Sequence, residues 1–375
     1  MTIVVAPDSF KGSLTAIQAA EMMKKAILAV QPQKEVIKKP MADGGEGTTD
    51  SLLSATPGDM VSIDCTGPLG QQKSTSYAII GGDTAVIECA KIAGLADVPL
   101  SKRNPDYTTT YGIGEVMLDA LDKGCTSMIV GLGGSATNDG GLGMLLALGM
   151  GAFDIYGDPV GIYGADVTNV ANVDISGLDP RFKGIHIKVA SDVTNPLCGE
   201  EGASAIYGPQ KGATKAQIIT YDRALKNFSY QIESALDDTF QNISGAGAAG
   251  GLGFGLLTLG AELVSGATLL GEAMDVEGAI AKADFVLTGE GQSDVQTLYG
   301  KAPGYVASLA KKHQIPIILI SGSIKDNDEL SRMFSGSFSM INKPLTLDQC
   351  MLKAETLLYE QTKQIIQLLV ATNNL

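Results

Sequence analysis

Several short stretches of this chain gather the residue types that phosphate and hydroxyl chemistry require. The richest spans 131–141 and holds five glycines in eleven residues. Apolar Met128-Ile129-Val130 precedes it and an apolar run from Leu142 to Leu148 follows, so the pattern predicts a strand, a tight turn and a helix start. Backbone amides in such a turn, together with a helix N-terminus, favour an anion. Gly133 and Gly134 allow close approach, while Ser135, Thr137 and Asn138 add neutral donors. The chemistry is that of a phosphate cradle; the competing reading is a turn where helix and sheet pack closely. A second stretch follows the apolar run 284–288: Glu290, Ser293 and Asp294, then Lys301, place two carboxylates, a hydroxyl and a cation at one predicted strand end. A third, after the apolar start of the chain, carries Asp8, Ser9, Lys11 and Ser13. Asp43 and Glu46 flank glycines before a predicted helix, where they read either as a cap and a dipole partner or as a substrate loop. Asp192 follows the strand 185–190 and suits a magnesium ion or an Asx-turn, and Lys211 sits in the Gly/Pro stretch 208–213.

These stretches need elements to hold them. Apolar runs at 3–6, 284–288 and 315–320 read as buried strands, each followed by a polar loop and a helical pattern, and the first helix, 14–30, has Thr15 as its N-cap. In open α/β sheets ligands bind at the C-terminal ends of strands, where all these loops fall. From about Val61 the pattern changes to short strands, 61–64, 75–80 and 85–88, separated by Gly-Pro, Gly-Gln and Gly-Gly-Asp turns. We therefore expect an α/β protein of two domains: one discontinuous, from 1–60 and 284–375, and one inserted, from 61–283, carrying the glycine-rich stretch. His186 lies inside an alternating strand and reads as a packed residue. The run 245–255 contains a formal G-x-G-x-x-G, but a helix rather than a strand precedes it, so it reads as a small-residue wall or a close-packed seam.

Composition narrows the function classes. A chain of 375 residues suggests two domains, and a net charge of −14 disfavours nucleic acid as a partner. An anionic substrate would need local lysines or a metal ion. Five scattered cysteines without metal spacing read as reduced thiols, and the absence of a leader pattern or a membrane-length apolar run points to a cytoplasmic protein without a membrane partner. The sequence leaves the oligomeric state open, a homo-oligomer included.

The glycine-rich stretch overlaps three known motifs. It is no Walker A loop, because no Gly-Lys-Ser/Thr closes it. Gly131-x-Gly133-x-x-Ala136 after a strand matches a dinucleotide fingerprint, which would make the protein an NAD-dependent oxidoreductase of a small hydroxy acid. It also resembles the Gly-Leu-Gly-Ser-Ser-Ala loop of the galactokinase–homoserine kinase superfamily. Taken together, however, the residues 6–13, 42–47, 131–141, 208–213 and 287–294 resemble the bacterial type I glycerate kinases, from Ile3 through Lys301. That resemblance implies ATP-dependent phosphorylation of D-glycerate, with 2-phosphoglycerate as product, and a flavodoxin-like domain from the chain ends beside a distinct α/β domain. A 3-kinase, another sugar-acid kinase and a non-catalytic sugar-acid sensor remain as alternatives. Phosphoryl transfer then assigns roles by chemistry. Lys11 and Lys301 are the candidate cations, Asp43 or Glu290 the group that orients the hydroxyl, Asp192 and Asp294 the candidate magnesium ligands, and Gly133, Gly134, Ser135, Thr137, Asn138 and Lys211, with Asp8, Ser9, Ser13 and Ser293, the candidates for binding substrate or phosphate.

Overall fold

The computed structural model describes residues 2–42, 47–298, 301–325 and 328–372. In chain order the strands are β1 (Thr2–Val5), β2 (Glu35–Lys38), β3 (Gly58–Thr66), β4 (Gln72–Ile80), β5 (Thr84–Glu88), β6 (Ser127–Gly131), β7 (Gly151–Phe153), β8 (Asn172–Asp174), β9 (His186–Ala190), β10 (Glu262–Val264), β11 (Phe285–Ser293), β12 (Ile317–Ile324) and β13 (Gly336–Ser339). Two compact units share them. The first takes both chain ends, with Asp50–Thr56 and Ser265–Leu375; the second is built on Pro57–Val264.

The first unit holds a five-stranded parallel sheet in the order β13-β12-β11-β1-β2. Counting only its own strands this is 2-1-3-4-5, the doubly wound flavodoxin-like order, whose direction reverses between β1 and β11. Ile3, Val4 and Val5 of β1 and Phe285 to Leu287 of β11 are buried, as central parallel strands covered on both faces must be. The helix Ala16–Val30 begins at Thr15, whose hydroxyl accepts from the Gln18 amide in a capping box, and it packs on the closing helix Ala354–Ala371. That closing segment is two helices, Leu347–Leu352 and Ala354–Ala371.

β11 also departs from expectation. It continues through Ser293 instead of turning into a loop after Thr288. The glycines here serve close strand contact: a Cβ on Gly289 would lie 2.1 Å from the Ile320 carbonyl oxygen, and one on Gly322 would lie 2.5 Å from that of Gly291.

The second unit holds a six-stranded mixed sheet, β10-β9-β6-β5-β4-β3. β3, β4 and β5 form an antiparallel meander, and β5, β6, β9 and β10 run parallel. Ile87, Val130 and Val189 share its core. Among the described residues no helix is long and apolar enough to cross a membrane, and all five cysteines are unbridged.

Candidate active site

The loops after β1 and β11 meet at the switch point of the first sheet. There a cavity of about 460 Å³ is lined by Asp8 and Lys11, by Glu290 and Asp294, by Lys301, and by Gly322 and Ser323 at the end of β12. This is where an open α/β sheet collects a ligand, because adjacent loops diverge to opposite faces. Met340, Ile341, Leu347 and Met351 add apolar lining.

Local bonds fix the polar wall. The Asp8 amide donates to the Gly289 carbonyl (2.8 Å), and Asp8 Oδ1 accepts from the Ser9 amide (2.6 Å). Phe10 and Leu14 exchange backbone bonds of 2.9 and 3.0 Å, which pinches 10–14 into a tight turn with exposed Lys11 inside it. Ser13 spends its hydroxyl on the Phe10 carbonyl within that turn (2.9 Å), which makes it a turn former. Glu290 is buried, and one of its oxygens accepts from Thr297 Oγ1 (2.6 Å) and Ser293 Oγ (2.9 Å). Ser293 Oγ in turn lies 2.6 Å from Ser321 Oγ. Burial pushes the Glu290 carboxyl above its usual range, against the pull of the two hydroxyls and of Lys301. A carboxylate raised in this way and held in one orientation suits proton abstraction from an alcohol. Asp294 pairs with Lys325 at 3.6 Å, a partner the sequence reading did not foresee, and its amide donates to Thr297 Oγ1 (3.0 Å). Lys301 caps the helix Ala302–Lys312, in which Pro303 takes an early position that needs no amide.

The glycine-rich stretch lies in the second unit and is used differently from the expected cradle. The helix Leu142–Ala147 does present amides, but a buried carboxylate of the chain itself meets them. Asp139 accepts from the amides of Gly141 (3.1 Å) and Gly143 (3.3 Å), and from the amide (3.0 Å) and hydroxyl (2.7 Å) of Thr110. Burial raises its pKa in spite of these four bonds. Lys211 is also buried, and its ammonium donates to Ser135 Oγ (2.9 Å) and to the Thr137 carbonyl (2.6 Å). Its position therefore makes it a clamp on the loop backbone. Burial lowers its pKa to about 8, opposed by Cys89 and Asp139. Asn138 donates to Ser204 Oγ (2.9 Å), while Asn138 Oδ1 and Thr137 Oγ1 are buried without a partner. Gly133 is half-buried and Gly134 exposed.

Packing accounts for the two later glycines. The Gly140 amide donates to the Gly250 carbonyl (3.0 Å), and a Cβ on Gly141 would lie 3.1 Å from Gly255 Cα. The second small-residue run, 245–255, is thus seated against the first. The dinucleotide fingerprint fails on geometry as well, since no helix begins until Leu142, six residues past Ala136.

The candidates are therefore divided between the units. Asp8, Ser9, Lys11, Ser13, Glu290, Ser293, Asp294 and Lys301 belong to the first; Ser135, Thr137, Asn138, Asp192 and Lys211 belong to the second. Asp192 is exposed beyond β9, and among the described residues no group of three or more His, Cys, Asp or Glu side chains is arranged to hold a metal. Asp43 lies outside the described residues. His186 is exposed rather than packed. Sequence reasoning missed the Met340–Ile341 and Leu347–Met351 wall, which carries no polar signal, and also Asp139 and Ser321; the Ser321-Gly322-Ser323 run at a strand end repeats the β11 pattern and was the available clue.

Comparison with known proteins agrees with this architecture. A family model described as the glycerate kinase family matches residues 3–370. Glycerate 2-kinase of Escherichia coli K12 is 44% identical over 353 residues, 93% of each chain. Glycerate kinase of Halalkalibacterium halodurans is 44% identical over 368 residues, 97% of each chain. The crystal structure of a protein provisionally named glycerate kinase 2, from Salmonella typhimurium LT2, matches with a TM-score of 0.90 at 41% identity, covering 100% of both chains.

Proposed function

The chain belongs to the glycerate kinase family, and from that premise we propose that it transfers the γ-phosphoryl group of ATP to D-glycerate, forming 2-phosphoglycerate and ADP. One observation supports the reading most: Lys11, Lys301, Asp8, Asp294 and a raised, oriented Glu290 converge on one cavity at the switch point of the first sheet. Phosphoryl transfer needs little covalent help from a protein and much placed charge. Lys11 and Lys301 meet the negative charge of the transferring group or the acid's carboxylate. Glu290 accepts the proton of the attacking hydroxyl, held toward it by Thr297 and Ser293. Magnesium, when bound with the nucleotide, neutralises phosphate charge. It takes one or two carboxylates with phosphate oxygens and water, and that donor set fits Asp8 and Asp294 of the cavity, with Asp192 the candidate of the second unit. Ser135, Thr137 and Asn138 are kept as phosphate- or substrate-binding candidates, because two of them retain buried, unmatched oxygens.

The test is phosphorus NMR of the product after incubation with ATP, magnesium and D-glycerate. The 2-phosphate resonance is the expected result. A 3-phosphate product would overturn the regiochemistry, and turnover on a different sugar acid but not on glycerate would overturn the substrate.

A further inference from the structure

Glycerate is small and polar throughout, since each of its three carbons carries oxygen. The cavity of the first unit is neither. At about 460 Å³ it falls in the range of clefts that hold drug-sized ligands, and its lining is mixed in character. Lys11, Lys301 and the carboxylates supply the charge; Met340, Ile341, Leu347 and Met351 supply an apolar wall. A three-carbon acid alone would leave the apolar wall facing water. The loop and that wall are in contact, because a Cβ on Gly12 would meet Met351 Cε at 2.6 Å.

We propose that this cavity is the nucleotide site, taking a purine nucleoside triphosphate with its base on the methionine-lined wall and its phosphates toward Lys11 and Lys301. The proposal rests on the reading of ATP as the donor and goes beyond it by assigning the nucleotide to one unit. Methionine suits a planar base because its thioether is polarisable and adapts to an aromatic face. The second unit's obvious anion site is already occupied from within: the helix amides at Gly141 and Gly143 are bonded to Asp139, and Lys211 is bonded to Ser135 and Thr137 of the glycine-rich stretch. The polar wall, with Glu290, remains the place where the terminal phosphate meets its acceptor.

The experiment is photolabelling of the full chain with 8-azido-ATP, with ADP as competitor, followed by mass spectrometric mapping. Label protected by ADP is expected on peptides containing residues 340–352. Protected label on 131–141 or 203–213 instead overturns the site while leaving ATP as donor intact. No protected label anywhere overturns the donor assignment and the site with it. Ile341→Lys supplies a second readout: the KM for ATP should rise by about tenfold or more, with the KM for glycerate within about twofold of wild type. A rise confined to the glycerate KM overturns the proposal.

Discussion

Replacing Glu290 with glutamine separates the chemistry of this carboxylate from its structural work. Both hydroxyls, Thr297 Oγ1 at 2.6 Å and Ser293 Oγ at 2.9 Å, donate to a single oxygen, and an amide oxygen can accept the same two bonds. What glutamine cannot do is take a proton. General-base catalysis contributes about 10²- to 10⁴-fold, so Glu290→Gln should raise the barrier by about 3–5 kcal/mol and lower kcat by that factor. Stability should move the other way. Burial raises the folded-state pKa of Glu290, so the unfolded chain releases this proton first as pH rises. The stability tied to the protonated form is complete below the ordinary glutamate range and is lost as pH climbs through the folded value. Glutamine has no proton to lose, so the Tm of Glu290→Gln relative to wild type should grow from acid pH toward pH 8. Glu290→Ala is the control: it leaves the buried Thr297 hydroxyl without its acceptor, at about 1–3 kcal/mol, while Ser293 keeps Ser321, and it should melt a few degrees early. Calorimetry and a coupled ADP assay read both quantities. A Glu290→Gln enzyme that turns over at near wild-type rate, or that melts as early as the alanine variant, would refute the assignment.

Three further substitutions probe the metal and the loop clamp. Asp294→Asn should keep its Tm, because a partly exposed 3.6 Å pair with Lys325 contributes no more than about 1 kcal/mol, but should need more magnesium for half-maximal rate. Asp192→Asn should behave in the same way, and either variant that melts early yet works at ordinary magnesium identifies a turn-forming aspartate. Lys211, lowered to about 8 by burial, binds its proton more weakly in the folded chain than in the unfolded one. Between about pH 8 and the usual lysine value near 10.4 the unfolded state holds more protons, so this residue makes stability rise with pH. In Lys211→Met that rise should be missing when urea midpoints are compared with wild type from pH 7 to pH 10, and an identical slope would place the lysine in solvent.

Much of this molecule can be read without coordinates. The apolar runs of β1, β11 and β12 declare buried parallel strands because both of their faces are covered, and the Gly-Pro and Gly-Gly-Asp turns declare the β3–β5 meander because few other residues adopt such turns. Thr15 with Gln18 marks a helix start because a hydroxyl three residues ahead of an amide closes a local ring. Lys11, Glu290, Asp294 and Lys301 could be picked out because polar residues that follow buried strands fall on one edge of the sheet. Glycine was the ambiguous letter. In 131–141 and again in 289–291 the residue that permits a phosphate cradle or a turn also permits backbone to touch backbone, and only the fold shows Gly250 and Gly255 against Gly140 and Gly141, or Gly291 beneath Gly322. The direction of a charged side chain was equally hidden. Lys211 looks like a ligand-facing group in sequence and Asp139 draws no notice, yet tertiary packing turns both inward, where loop hydroxyls, carbonyls and amides replace water as their partners. The change of pattern near Val61 already puts Asp192 in the inserted segment and Asp294 in the discontinuous one; that the chain rejoins the first unit at Ser265, ahead of the expected 284, is a long-range choice made by packing that no local spacing encodes.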